Sequence, residues 1–182
     1  FTRELSLPEA ITARQDLVAF FPGSSIGNFT PQEAERFLAS LNRSLPAGSG
    51  LLIGVDLLKD REVLEAAYND ADGVTAEFNL NLLDRLQREL GLDLRRERFR
   101  HRAYFNERQS RIEMHLESSI AQVLSVNGST IRFRQGESIH TENSCKYSVP
   151  GFQRLAGRAG FSSRRVWTDD EALFSVHYLV ST

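Results

Sequence analysis

Apolar and polar residues change their rhythm repeatedly along this chain. Residues 17–21, LVAFF, form a short unbroken apolar run closed by Pro22 and Gly23, the mark of a strand buried on both faces, as in a parallel sheet. Thr30 then offers an N-cap, Pro31 takes the first helical position, and Glu33 stands where a capping box requires an acid. The helix so begun carries Ala34, Phe37, Leu38, Leu41 and Leu45 on one stripe, and Pro46 and Gly48 break it. Residues 51–58, LLIGVDLL, supply a second buried strand that ends near Asp56. Strand, helix and strand in this order make a βαβ unit, whose parallel strands are joined right-handedly and carry ligand sites at their carboxyl ends.

After Asp56 the pattern shifts. KDREVLEAAYND and GVTAEFNLNLLDRLQREL read as two helices, the second closed by Gly91. From residue 99 to 135 the period becomes two. Ile112, Met114 and Leu116 alternate with Arg111, Glu113 and His115, and Asn127-Gly128 sits between apolar strands as a hairpin turn. The expectation is an antiparallel meander of about four strands. It interrupts the α/β pattern, so the chain divides into residues 1–59 as α/β core, 60–145 as an inserted α+β lobe and 146–182 as a return to the core. In that last part VPGFQRLAGRAGF is an amphipathic helix stopped by Gly160, and two strands follow, joined by an acidic turn. So short a connection cannot be a crossover, and the two strands should pair antiparallel.

Composition excludes more than it assigns. The 22 basic and 24 acidic side chains nearly cancel over 182 residues, so no basic field points to nucleic acid and no polybasic patch to a membrane surface. The basic run at 85–102 is interrupted by Glu89, Asp93 and Glu97 and reads as a solvated helix face. No apolar run has the length of a membrane span and no signal segment is visible. The one cysteine, Cys145, rules out an internal disulfide framework and fits a reducing cytoplasm; beside Lys146 it is either a low-pKa thiol or a small buried residue. His101, His115, His140 and His177 show no paired ligand spacing, so no metal is expected. Ser24 and Ser25 lack the G-x-S-x-G context of a nucleophile elbow. Residue 1 is Phe rather than Met, and the chain reads as a fragment.

The loop of residues 22–29, PGSSIGNF, leaves a strand where open α/β sheets bind small ligands. Asn28 offers a donor and an acceptor together, suited to an amine and a carboxylate; equally, Gly23, Gly27 and Asn28 build the turn before the Thr30 cap. Asp56 is either a ligand contact or a partner for a cap or a lysine. Glu142 and Ser144 lie two apart and so share one side of an extended segment. A carboxylate taking one ring N–H and a hydroxyl meeting the other nitrogen would read an imidazole in one tautomer, while the plain alternative is a surface strand. Tyr68 and Met114 are each equally legible as core.

The segments FPGSSIGNF, LLIGVDLLKD, AAYNDADGVTAEFNLNLL, RIEMHLES and TENSCKY together resemble the histidine-specific methyltransferase family, which trimethylates the α-amino group of L-histidine to hercynine in ergothioneine biosynthesis. The resemblance implies an α/β fold, the C-terminal half of a class I methyltransferase Rossmann-like sheet, with S-adenosyl-L-methionine as cofactor. It implies that Asn28 holds the substrate amino and carboxylate groups, Tyr68 reaches the carboxylate, Met114 lines the pocket, and Glu142 and Ser144 hold the imidazole. No acidic residue followed by GxGxG occurs, so most of the cofactor site is expected outside this chain, with Gly23 and Ser24 as its contacts within it and no activity for the chain alone. Two rivals remain at this point: a non-catalytic amino-acid-binding or subunit-interaction module, and a methyltransferase of another small amine. A half-sheet also leaves an edge open to self-association.

Overall fold

The computed structural model describes residues 7–12, 17–92, 94–126 and 129–182. It divides into two compact units, one made of Phe1–Lys59, Gln109–Arg111 and Ser144–Thr182, the other of Asp60–Arg108 and Ile112–Asn143.

In the first unit a short helix α1 (Glu9–Thr12) precedes β1 (Val18–Phe21), a single 3-10 turn (Ser25–Asn28), α2 (Pro31–Ser44) and β2 (Gly50–Asp56). β1 and β2 pair in parallel, with Phe20 opposite Leu52, as the βαβ reading requires. The Thr30 capping box forms in both directions: Glu33 N–H donates to Thr30 Oγ1 and the Glu33 carboxylate accepts from Thr30 N–H. Ala34, Leu38 and Leu41 are the buried face of α2. The carboxyl end of the chain adds α5 (Val149–Arg158), β8 (Phe161–Thr168) and β9 (Phe174–Ser181). β8 and β9 pair antiparallel as expected, and β9 inserts antiparallel beside β2, giving the order β1-β2-β9-β8. Leu38, Leu51, Ile53, Phe152 and Leu179 are fully buried between this sheet and its helices, each contributing roughly 1.5–3 kcal/mol of transfer free energy.

One expectation fails here. β1 is not buried on both faces: it is an edge strand, and Val18 and Phe20 are 55% and 68% exposed. An apolar run reports the side chains, not whether the chain supplies the layer that would cover them.

The second unit holds α3 (Arg61–Tyr68), α4 (Val74–Leu90), β3 (Phe99–Asn106), β4 (Arg111–Ser118), β5 (Gln122–Val126), β6 (Ser129–Phe133) and most of β7 (Ser138–Cys145). Asp60 caps α3 through Glu62 N–H, and Gly91 ends α4 in the left-handed conformation at φ 64°. The four strands anticipated between residues 99 and 135 are present, but they do not form one meander. β3 and β4 join β7 in the order β3-β4-β7, while β5 and β6 make a separate two-stranded ribbon. The Asn127-Gly128 turn lies outside the described residues. β4 also departs from simple alternation, because Glu113 and Glu117 on its polar side are buried too. It is the middle strand, and long side chains of β3 cover that side: Arg100 and Arg102 bond Glu117, and Tyr104 and Asn106 bond Glu113. The apolar side packs as two clusters, Leu83, Phe99 and Leu116 with α4, and Leu64, Ala103, Ile112 and Met114 with α3.

Candidate functional site

The loop after β1 is built by contacts with residues far away in sequence. Gly23 turns the chain at φ +67°, and a β-carbon there would meet open space. Ser24 Oγ accepts from Asp56 N–H at 2.9 Å, which ties the loop to the end of β2. Gly27 is buried against the end of β7: a β-carbon would lie 2.8 Å from the Cys145 carbonyl oxygen and 3.5 Å from Ser144 Oγ. Glycine is therefore required at residue 27 by close approach. The turn alternative and the ligand-loop alternative are thus not exclusive, since the turn presses this loop against Ser144 and leaves Asn28 exposed beside it.

Beneath Ser144 lies a charged cluster. The Lys146 side chain is fully buried, and its ammonium donates to Ser144 Oγ at 2.9 Å and to Asp56 Oδ2. Lys59 donates to Asp56 Oδ1 at 2.7 Å. Asp56 is thus the lysine partner among its two alternatives. An ammonium only donates, so Ser144 is the acceptor in its bond to Lys146 and its own O–H points away from the lysine. Cys145 is the small buried residue of the two readings: burial pushes its thiol pKa up, against the opposing charges of Arg111 and Lys146.

In the second unit Met114 is buried in the cluster of Leu64, Ala103 and Ile112, and Tyr68, at the end of α3, packs against that cluster. Glu142 is half-buried on β7, and its carbonyl oxygen accepts from His140 Nε2 at 3.1 Å. The structure therefore brings Asn28's loop and Ser144 together in the first unit and Tyr68 and Met114 together in the second. Glu142 and Ser144 are alternate residues of one strand.

Two groups escaped the sequence reading. Lys146 carried a signal only as the neighbour of Cys145, since nothing local announces that its ammonium meets Asp56. His115 and His140, scattered in sequence, lie on adjacent strands and stack with ring centroids 4.6 Å apart. Burial is the main cause that lowers the His115 pKa, opposed by its contact with Glu113. His101 instead bridges the Tyr68 carbonyl and the Asn79 side chain, and His177 is buried on β9.

A parallel βαβ crossover continued by an antiparallel carboxyl-terminal hairpin makes this an α/β sheet. The chain belongs to the histidine-specific, S-adenosylmethionine-dependent methyltransferase family, whose model matches residues 1–181. It is 40% identical over 162 residues to the histidine N-alpha-methyltransferase of Mycolicibacterium smegmatis, covering 88% of this chain and 50% of that protein. It is 31% identical to ergothioneine biosynthesis protein 1 of Neurospora crassa, over 90% of this chain and 18% of that protein. The chain thus spans about half the length of the curated histidine N-alpha-methyltransferases it matches. Among solved structures, an S-adenosylmethionine-dependent methyltransferase from Clostridium acetobutylicum aligns over 90% of this chain and 57% of its own, with 7% identity and a TM-score of 0.48.

Proposed function

We propose that this chain is the substrate-reading half of an enzyme that methylates the α-amino group of L-histidine, giving the trimethylated amino acid. The observation that carries the reading is the Ser144 environment. Gly27 holds the Asn28 loop against Ser144 and Cys145, and Lys146 fixes the Ser144 hydroxyl as an acceptor on its buried side. In this reading the Ser144 hydroxyl meets one ring nitrogen and the Glu142 carboxylate takes the ring N–H, a pair suited to a neutral imidazole. Names of the relatives agree with that substrate. Asn28 holds the substrate amino and carboxylate groups, Tyr68 reaches the carboxylate and Met114 lines the pocket. Residues 60–145 serve as the substrate-binding lobe inserted into the α/β core.

S-adenosylmethionine, when bound, supplies an electrophilic methyl group. The residues here fit one edge of that group: Gly23 offers backbone approach with open space where a β-carbon would stand, and Ser24 is positioned by Asp56. The reacting amine must be neutral, since an ammonium has no lone pair. The α-amino group of a free amino acid is mostly protonated near neutral pH, so the neutral amine reacts as a minor species that Asn28 orients for transfer.

No helix among the described residues is long and apolar enough to cross a membrane, and we assign the enzyme to the cytoplasm, with no nucleic-acid partner. The β1 edge, with Val18 and Phe20 exposed, is where a second chain would pair; a clean monomer in sedimentation would count against that association. The function is tested by mass spectrometry of the full-length enzyme that contains this half, with the half alone beside it, incubated with S-adenosylmethionine and a panel of free amino acids. Trimethylhistidine should form selectively, and Glu142→Gln with Ser144→Ala should abolish that selection. An unchanged substrate profile in the double variant would overturn the imidazole assignment, and histidine left unmethylated by the wild-type protein would overturn the function.

A further inference from the structure

On the β3-β4-β7 sheet a carboxylate and two imidazoles converge in a way that the methyl-transfer reading does not use. A ring nitrogen of His115, a ring nitrogen of His140 and a carboxylate oxygen of Glu113 all lie within 4.8 Å of one another. Glu113 is buried, His115 half-buried and His140 exposed, so the trio opens to solvent on one side and is anchored on the other.

The surroundings orient the three donors. The His140 Nε2 contact to the Glu142 carbonyl at 3.1 Å requires the proton on Nε2, because a carbonyl only accepts, and this makes Nδ1 the lone-pair nitrogen. A histidine that donates one N–H to a backbone carbonyl is the usual arrangement behind a metal-ligating imidazole. His115 Nδ1 bonds Ser138 Oγ at 3.1 Å, and its Nε2 donates to Glu113 Oε2 at 3.4 Å, carrying a proton that a bound cation would replace. Two ligand atoms on one tetrahedral zinc ion, each about 2.0–2.1 Å from the metal, are themselves about 3.3 Å apart, so the trio draws closer and one imidazole turns out of the stack when a cation binds. Glu113 is steadied by the Tyr104 hydroxyl at 2.8 Å and the Asn106 amide at 2.9 Å. The nearby Arg102 bonds Glu117 at 3.1 Å, which offsets its charge.

We propose that Glu113, His115 and His140 form a binding site for a divalent transition-metal cation of the zinc type, held by two imidazoles and one carboxylate with a fourth position open to water. Two nitrogens and one oxygen suit Zn2+, Co2+ or Ni2+ better than Mg2+ or Ca2+, which take oxygen ligands. The site bridges the neighbouring strands β4 and β7, and its His140 bonds the backbone of Glu142, so metal binding stiffens the strand that carries Glu142 and Ser144.

The test is titration of the chelator-stripped, purified protein with ZnCl2 by calorimetry and with CoCl2 by visible absorption. One equivalent should bind, with the intense cobalt bands of a four-coordinate site, and the melting temperature should rise with zinc. His140→Gln, a change at an exposed position, should weaken binding at least tenfold, and His115→Gln should do the same. MgCl2 should give neither heat nor a melting shift. Binding that is unsaturable, or equally tight in wild type and in His140→Gln, would overturn the proposal.

Discussion

Asp56→Asn is the change whose cost follows most directly from the structure. The Asp56 carboxylate accepts from Lys146 on one oxygen and from Lys59 on the other at 2.7 Å. The Lys146 side chain is 0% exposed, that of Asp56 18%. Asparagine keeps the shape and removes the charge, so packing is preserved while the buried Lys146 ammonium loses the Asp56 carboxylate. Removing one partner of a buried ion pair costs about 3–5 kcal/mol, whereas the more exposed bond to Lys59 adds at most about 1 kcal/mol. The loss should therefore be about 3–5 kcal/mol, a large part of an ordinary domain's stability. Lys146→Met should cost less, because Asp56 keeps Lys59 and some solvent, and the double variant should recover most of the Asp56→Asn loss since no buried charge is left. Urea unfolding followed by the single tryptophan, Trp167, reads all four proteins. A loss under about 1 kcal/mol for Asp56→Asn, or a double variant no more stable than it, would refute the buried-pair account.

Other changes have equally defined outcomes. Gly27→Ala places a methyl 2.8 Å from the Cys145 carbonyl oxygen; it should destabilise by about 1–3 kcal/mol and weaken histidine binding, as calorimetry would measure. His177 is buried, and burial lowers its pKa from 6.5 to about 4. Its neutral form is favoured in the fold, so its contribution is fully present above pH 6.5 and is lost as pH falls toward 4, at up to about 1.4 kcal/mol per pH unit; His177→Leu should flatten that limb of the stability profile. Thr30→Ala removes the capping box and should lower the thermal midpoint by the equivalent of about 0.5–2 kcal/mol.

Elements dictated by local chemistry were legible from the sequence. The Thr30–Glu33 cap, the α2 stripe, the Gly91 stop and the final antiparallel pair all follow from residues within a few positions of one another. What escaped depends on partners distant along the chain. β1 reads as a buried strand because Phe20 is apolar, yet it forms the sheet edge. β4 reads as alternating, yet Glu113 and Glu117 are covered by residues of β3. β7 joins β4 across the β5-β6 ribbon, a pairing that no turn residue signals.

The candidate site shows the same division. Asn28 could be picked out from the glycines around it, because a loop at the carboxyl end of a parallel strand has a positional meaning. Gly27 was legible as a turn former or as a place where backbone nears a ligand, whereas its stronger constraint is the Cys145 carbonyl, contributed by a strand that starts more than a hundred residues later. Lys146 follows the same logic. Residue type and neighbours suggest a solvated lysine, but β7 delivers its ammonium beneath Ser144 and onto Asp56, giving that hydroxyl an acceptor role on its inner side. A serine with no such donor behind it would present a lone pair or a proton with equal ease, and would discriminate poorly between the two nitrogens of an imidazole. Under the proposed role of Ser144, the buried charge pair is what directs its hydroxyl, and the Asp56 and Lys146 variants should then alter substrate selection as well as stability.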